Sequence, residues 1–104
     1  MNYQIEYWKG RTVFIFDANK LTFDQFSKII DEVIQPDLKC EEEITSWTKS
    51  FSFQKDNLKI YFEYFYDSNQ YFSFELLPLK NNSKEELSKL KLIIEDLSNF
   101  IKEI

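Results

Sequence analysis

The chain has 104 residues, 43% hydrophobic and 30% charged, with 19 aromatics, one glycine, two prolines, one cysteine and no histidine. That is one ordinary domain, residues 1–104, with enough apolar material for a single core; it excludes a multidomain enzyme, a linker and a disordered acidic tail. Thirteen basic against 18 acidic residues leave a net charge of −5, the wrong sign for neutralising nucleic-acid phosphates or anionic lipid, so neither nucleic acid nor membrane is an expected partner.

Tyr3, Ile5 and Tyr7 alternate with polar residues, and Thr12 to Phe16 follows Lys9-Gly10, the pattern of a β-hairpin with a two-residue turn. That turn pairs Tyr3 with Phe16, Ile5 with Phe14 and Tyr7 with Thr12 on one face, and Glu6 with Val13 and Trp8 with Arg11 on the other.

The first helix begins at Thr22, with Gln25 completing a capping box and Leu21 and Phe26 a hydrophobic staple. Phe23, Phe26, Ile29, Ile30, Val33 and Ile34 recur at helical spacing, and Pro36 ends the run. A strand over Trp47–Phe53 and another over Leu58–Tyr66 read as a second hairpin. A Lys55-Asp56 turn would set Phe53 against Leu58, Phe51 against Ile60 and Lys49 against Phe62, where the lysine must snorkel. A third strand, Tyr71–Leu77, pairs Phe62 with Phe74 and Tyr64 with Phe72 if Asp67-Ser68-Asn69 forms a three-residue loop.

Asn81-Asn82-Ser83 matches a glycosylation triplet but reads as a loop. Ser83 and Glu86 then form a second capping box. Leu87, Leu90, Ile94, Leu97, Ile101 and Ile104, widened by Ile93 and Phe100, give the second helix a core-facing stripe. The predicted architecture is α+β: β-β-α-β-β-β-α, a five-stranded antiparallel sheet with both helices packed on one face, sharing a core of Ile29, Val33, Phe62, Phe74, Leu90, Ile94 and Leu97.

The inventory argues against catalysis. Glu63 and Glu75 lie on neighbouring strands of the open face, but nothing in the pattern buries them, so they read as two solvated glutamates rather than an acid/base pair. Cys40 precedes Glu41-Glu42-Glu43, whose charge disfavours a thiolate, and no histidine can activate it. Asp17-x-Asn19 and Asp67-x-Asn69 lack the rest of a calcium loop, zinc lacks its usual ligands, and one glycine cannot build a phosphate cradle. No catalytic residue, metal site or cofactor is expected, and the chain does not read as an enzyme.

Two features remain. Asp37, Glu41, Glu42 and Glu43 form an acidic run before the meander, suited to a basic partner. On the open face Phe65 opposes Tyr71 and Tyr61 opposes Glu75, with Glu63 among them, an aromatic surface for binding a partner or closing a homodimer. The lone cysteine and the lack of a basic, then apolar, leader or a membrane-length apolar run point to the cytoplasm. Twelve Lys to one Arg, 11 Ile, seven Asn and a single Ala fit A/T-rich codons of a bacterial or phage genome. The expected function is a small acidic inhibitor that occludes a basic protein, such as an immunity protein or antitoxin against a nuclease-type toxin. The alternatives are a phage anti-defence protein and a carrier of an apolar small molecule held between sheet and helices.

Overall fold

The computed structural model describes residues 3–17, 20–66, 70–79 and 81–103. Its elements run β1 (Tyr3–Trp8), β2 (Arg11–Asp17), α1 (Phe23–Val33), β3 (Leu38–Lys39), β4 (Glu43–Ile44), β5 (Thr48–Lys55), β6 (Leu58–Phe65), β7 (Tyr71–Leu76) and α2 (Lys84–Lys102). The class is α+β with an antiparallel sheet, but the sheet has seven strands in the order β1-β2-β7-β6-β5-β3, with β4 also on β5. The expected five become seven because part of the acidic run pairs with β5 instead of remaining a loop.

The local signals act as their chemistry requires. Lys9 (φ 45°) and Gly10 (φ 83°) form the tight turn between β1 and β2, and the register pairs Tyr3 with Phe16, Ile5 with Phe14 and Tyr7 with Thr12. Both capping boxes are present, with Thr22 and Ser83 accepting from the backbone N–H of Gln25 and Glu86. Helix α1 ends as Gln35 turns left-handed (φ 56°) just before Pro36 and donates its N–H to the Ile30 carbonyl.

The β5–β6 turn differs from the expectation. Asp56 and Asn57 occupy it at φ 51° and 65°, so Phe53 faces Ile60, Phe51 faces Phe62 and Lys49 faces Tyr64. Asp and Asn tolerate positive φ better than Lys55, which stays in the strand and donates its Nζ to the Gln35 carbonyl. Lys49 lies with its Nζ 5.5 Å from the Phe23 ring centroid. Across β6 and β7, Phe62 pairs with Phe74 and Tyr64 with Phe72, as expected; the Asp67-Ser68-Asn69 loop lies outside the described residues, as do Asn19 and Ile104.

Both helices cover one sheet face. Phe14, Phe16, Phe51, Phe53, Ile60, Phe62, Phe72 and Phe74 from that face bury in one core with Phe26, Ile30, Leu90, Ile94 and Leu97 from the helices. Phe26 is the hub where α1 meets the sheet, its ring centroid 4.1 Å from Phe72, 5.5 Å from Phe62 and 5.6 Å from Phe16. Val33 is only partly buried, and Phe100 faces outward instead of widening the α2 stripe. Tyr3 Oη donates to Glu95 Oε1 at 3.3 Å, fixing α2 above β1.

Candidate functional site

The face without helices is built from alternate residues: Glu6 and Trp8 of β1, Arg11 and Val13 of β2, Tyr71, Ser73 and Glu75 of β7, Tyr61, Glu63 and Phe65 of β6, and Ser50 and Ser52 of β5. Register sets them in rows. Ser50, Glu63 and Ser73 lie side by side in a central row, flanked on one side by the row of Ser52, Tyr61, Glu75 and Val13 and on the other by Phe65 beside Tyr71. Ser50 and Ser73 are buried because their short side chains sit between taller neighbours.

Glu63 and Glu75 are not the solvated pair that alternation suggests. Glu75 is 5% exposed and is gripped in bidentate fashion by Arg11, with Nε to Oε2 at 2.9 Å and Nη2 to Oε1 at 2.5 Å. Trp8 covers the guanidinium, whose carbon lies 5.9 Å from the ring centroid. Arg11 and Trp8 therefore belong to the site, and sequence reasoning assigned them only to hairpin pairing.

Glu63 is half-buried and accepts a hydrogen bond from Tyr61 Oη at 2.9 Å. Burial pushes its carboxyl above the ordinary value; the Tyr61 hydrogen bond opposes this, the Glu75 charge adds to it, and Arg11 pulls it back. Burial also raises the Tyr61 and Tyr71 phenols, and the Glu63 charge adds to both. Phe65 and Tyr71 stack at 4.5 Å between centroids, with the rings 22° from parallel. Tyr61, Phe65 and Tyr71 are half-exposed rather than core, so their apolar area remains partly open to solvent.

The acidic run divides. The Asp37 carboxylate accepts from the Asp56 N–H at 3.2 Å and its own N–H donates to the Gln54 carbonyl, so it braces the β5–β6 turn. Leu38 and Lys39 pair with Gln54 and Phe53, and the Cys40 N–H donates to the Ser52 carbonyl. Glu43 then pairs with Ser50 and Ile44 with Lys49. Two residues, Glu41 and Glu42, thus stand opposite Phe51 alone, which makes a β-bulge on the edge strand.

The inserted residue moves Glu43 from the helix face to the open face, in the row of Ser50 and Glu63. On the other side of this edge, the Lys39 ammonium bonds Ser27 and Asp31 of α1 and lies 4.4 Å from the Phe51 ring centroid. The structure therefore gathers Glu43, Tyr61, Glu63, Phe65, Tyr71 and Glu75 on one face. Glu41 and Glu42 stay at its exposed edge and Asp37 at its end.

A groove of about 450 Å³ opens at the start of α1, lined in part by Lys20, Asp24, Lys49, Tyr64 and Gln70. It is polar and lies at the end of the helix layer, unlike the apolar cavity between sheet and helices that a carrier requires. Among the described residues, no group of three or more His, Cys, Asp or Glu is placed to hold a metal ion, and no helix is long and apolar enough to cross a membrane. Comparison with protein-family models, with curated proteins and with solved structures finds no significant match to this chain.

Proposed function

We propose that this chain is a small protein-binding inhibitor whose open sheet face occludes a basic protein in the cytoplasm, as an immunity protein or antitoxin occludes a nuclease-type toxin. The carrying observation is the half-exposed Tyr61, Phe65 and Tyr71 set among Glu43 and Glu63, with Glu75 already matched by Arg11. Aromatics supply contact area at small entropic cost, and the carboxylates favour a cationic cleft over neutral or acidic surfaces. Occlusion needs no catalytic group, which suits a chain without histidine. A phage anti-defence protein would use the same surface against a basic host nuclease, and the identity of the bound protein decides between them.

The test uses the product of the neighbouring reading frame, because an inhibitor is encoded beside the protein it restrains. Expressed alone, that product should poison its host, and coexpression of this chain should restore growth and yield a complex. Tyr61→Ala and Tyr71→Ala should each weaken the complex by about thirtyfold or more, the effect of losing a central anchor, while both variants still unfold cooperatively. A harmless neighbour, or a complex indifferent to both substitutions, contradicts the reading.

A further inference from the structure

The two edges of the sheet are finished differently. The β3/β4 edge is cut into two-residue pieces by the Glu41-Glu42 bulge, devices that block further strand addition. The opposite edge, β1, is an unbroken six-residue strand, YQIEYW, with neither proline nor lysine. Its tight two-residue turn makes Trp8–Arg11 the hydrogen-bonded closing pair, so that Trp8, Glu6 and Gln4 bond towards β2. Tyr3, Ile5 and Tyr7 then turn their N–H and C=O groups outward, away from β2.

We propose that this edge pairs with the β1 edge of a second copy, antiparallel about Ile5, joining two sheets into one. The strand is complementary to itself in that register. Ile5 meets Ile5 of the second copy, Tyr3 meets its Tyr7, and the outward peptide groups of all three residues bond in both directions. On the open face Glu6 meets Gln4 of the second copy, so the one charge on each strand faces an amide donor and not another carboxylate.

Exposed apolar groups flank the line. Tyr7 is 74% exposed, and Leu92 of α2, 64% exposed, lies one turn from the Glu95 that holds Tyr3. A strip about 20 Å long and about 20 Å deep covers about 400 Å² per copy, or about 800 Å² in all, against the roughly 1,200 Å² where stable interfaces begin. The dimer is accordingly weak and concentration-dependent. Two copies of charge −5 repel at a distance, so added salt strengthens it; a complex with a basic partner weakens instead.

Sedimentation equilibrium of the full chain over about a hundredfold range of concentration tests this. The mass should rise from 12.7 kDa towards twice that value, more readily at high salt. Protection of the Ile5 and Tyr7 amides from hydrogen exchange should rise in parallel. Tyr7→Pro removes one outward N–H and an exposed side chain and leaves the β1–β2 hydrogen bonds intact, so it should weaken association about tenfold or more with the melting temperature little changed. Tyr7→Lys, which guards the edge with a charge, should do the same if proline disturbs the hairpin. A chain that remains monomeric throughout, or variants that associate as well as the parent, overturns the proposal.

Discussion

Phe62→Ala should cost about 3–5 kcal/mol, a large part of the stability of a domain whose total lies at about 5–15 kcal/mol. Phe62 is fully buried at the centre of the sheet. Its ring lies 5.0 Å from Phe51, 5.0 Å from Phe74, 5.5 Å from Phe26 and 5.8 Å from Phe72 between centroids. Removing it opens a cavity lined by rings from α1, β5 and β7, and large aromatics anchored in regular elements cannot close it by small movements. Urea denaturation followed by far-UV circular dichroism should show the unfolding free energy lowered by about 3–5 kcal/mol, with the midpoint falling in proportion. A loss below about 2 kcal/mol would mean that the core is less tightly packed than the ring geometry indicates.

Arg11→Ala should destabilise the fold by about 2–3 kcal/mol, just below the range of about 3–5 kcal/mol for breaking a fully buried ion pair, because the arginine is partly exposed. The cost comes mainly from leaving the Glu75 carboxylate buried without its counter-ion. Replacing both residues, Arg11→Met with Glu75→Leu, should recover most of the loss, since an apolar pair of similar size pays no desolvation penalty. Equal loss in the single and double variants would assign the effect to the packing of Arg11 against Trp8.

The same experiments carry a pH signature from Glu63. Its folded-state carboxyl titrates above the ordinary 4.5, so the folded chain binds more protons than the unfolded chain in the window that opens at about pH 4.5. The contribution of Glu63 to stability is therefore fully present below that window and is lost as pH rises through its folded-state titration. Glu63→Gln should remove this loss, melting higher than the parent at neutral pH and level with it below the window.

What the residues reveal in advance follows the range of the interactions. Hairpin β1–β2 was readable because Lys9-Gly10 and the alternation on both sides agree, and the two helices because each carries a capping box and an apolar stripe. The β6–β7 register followed from apolar parity, which a slip of one residue would invert. At the β5–β6 turn, Lys55-Asp56 and Asp56-Asn57 keep the same faces, so pattern alone could not choose; the positive φ at two adjacent positions favours Asp-Asn.

The edge strands β3 and β4 are two residues each and carry no periodicity, so the bulge that brings Glu43 to the open face had no local signature. The Arg11–Glu75 pair depends on β2 lying beside β7, a contact between segments about sixty residues apart that no turn or spacing encodes. For that reason the face was legible as an aromatic surface, and its buried charge was not.

The most direct test of the central claim is the association rate of this chain with the basic protein captured in the coexpression experiment, measured at low and at physiological salt. Glu41→Gln, Glu42→Gln and Glu43→Gln together keep shape and remove three charges, two at the bulge and one on the open face. Association should slow markedly at low salt, and the difference from the parent should shrink as salt screens charges beyond about 10 Å, with dissociation changing less. A rate indifferent both to the triple substitution and to ionic strength would contradict the account.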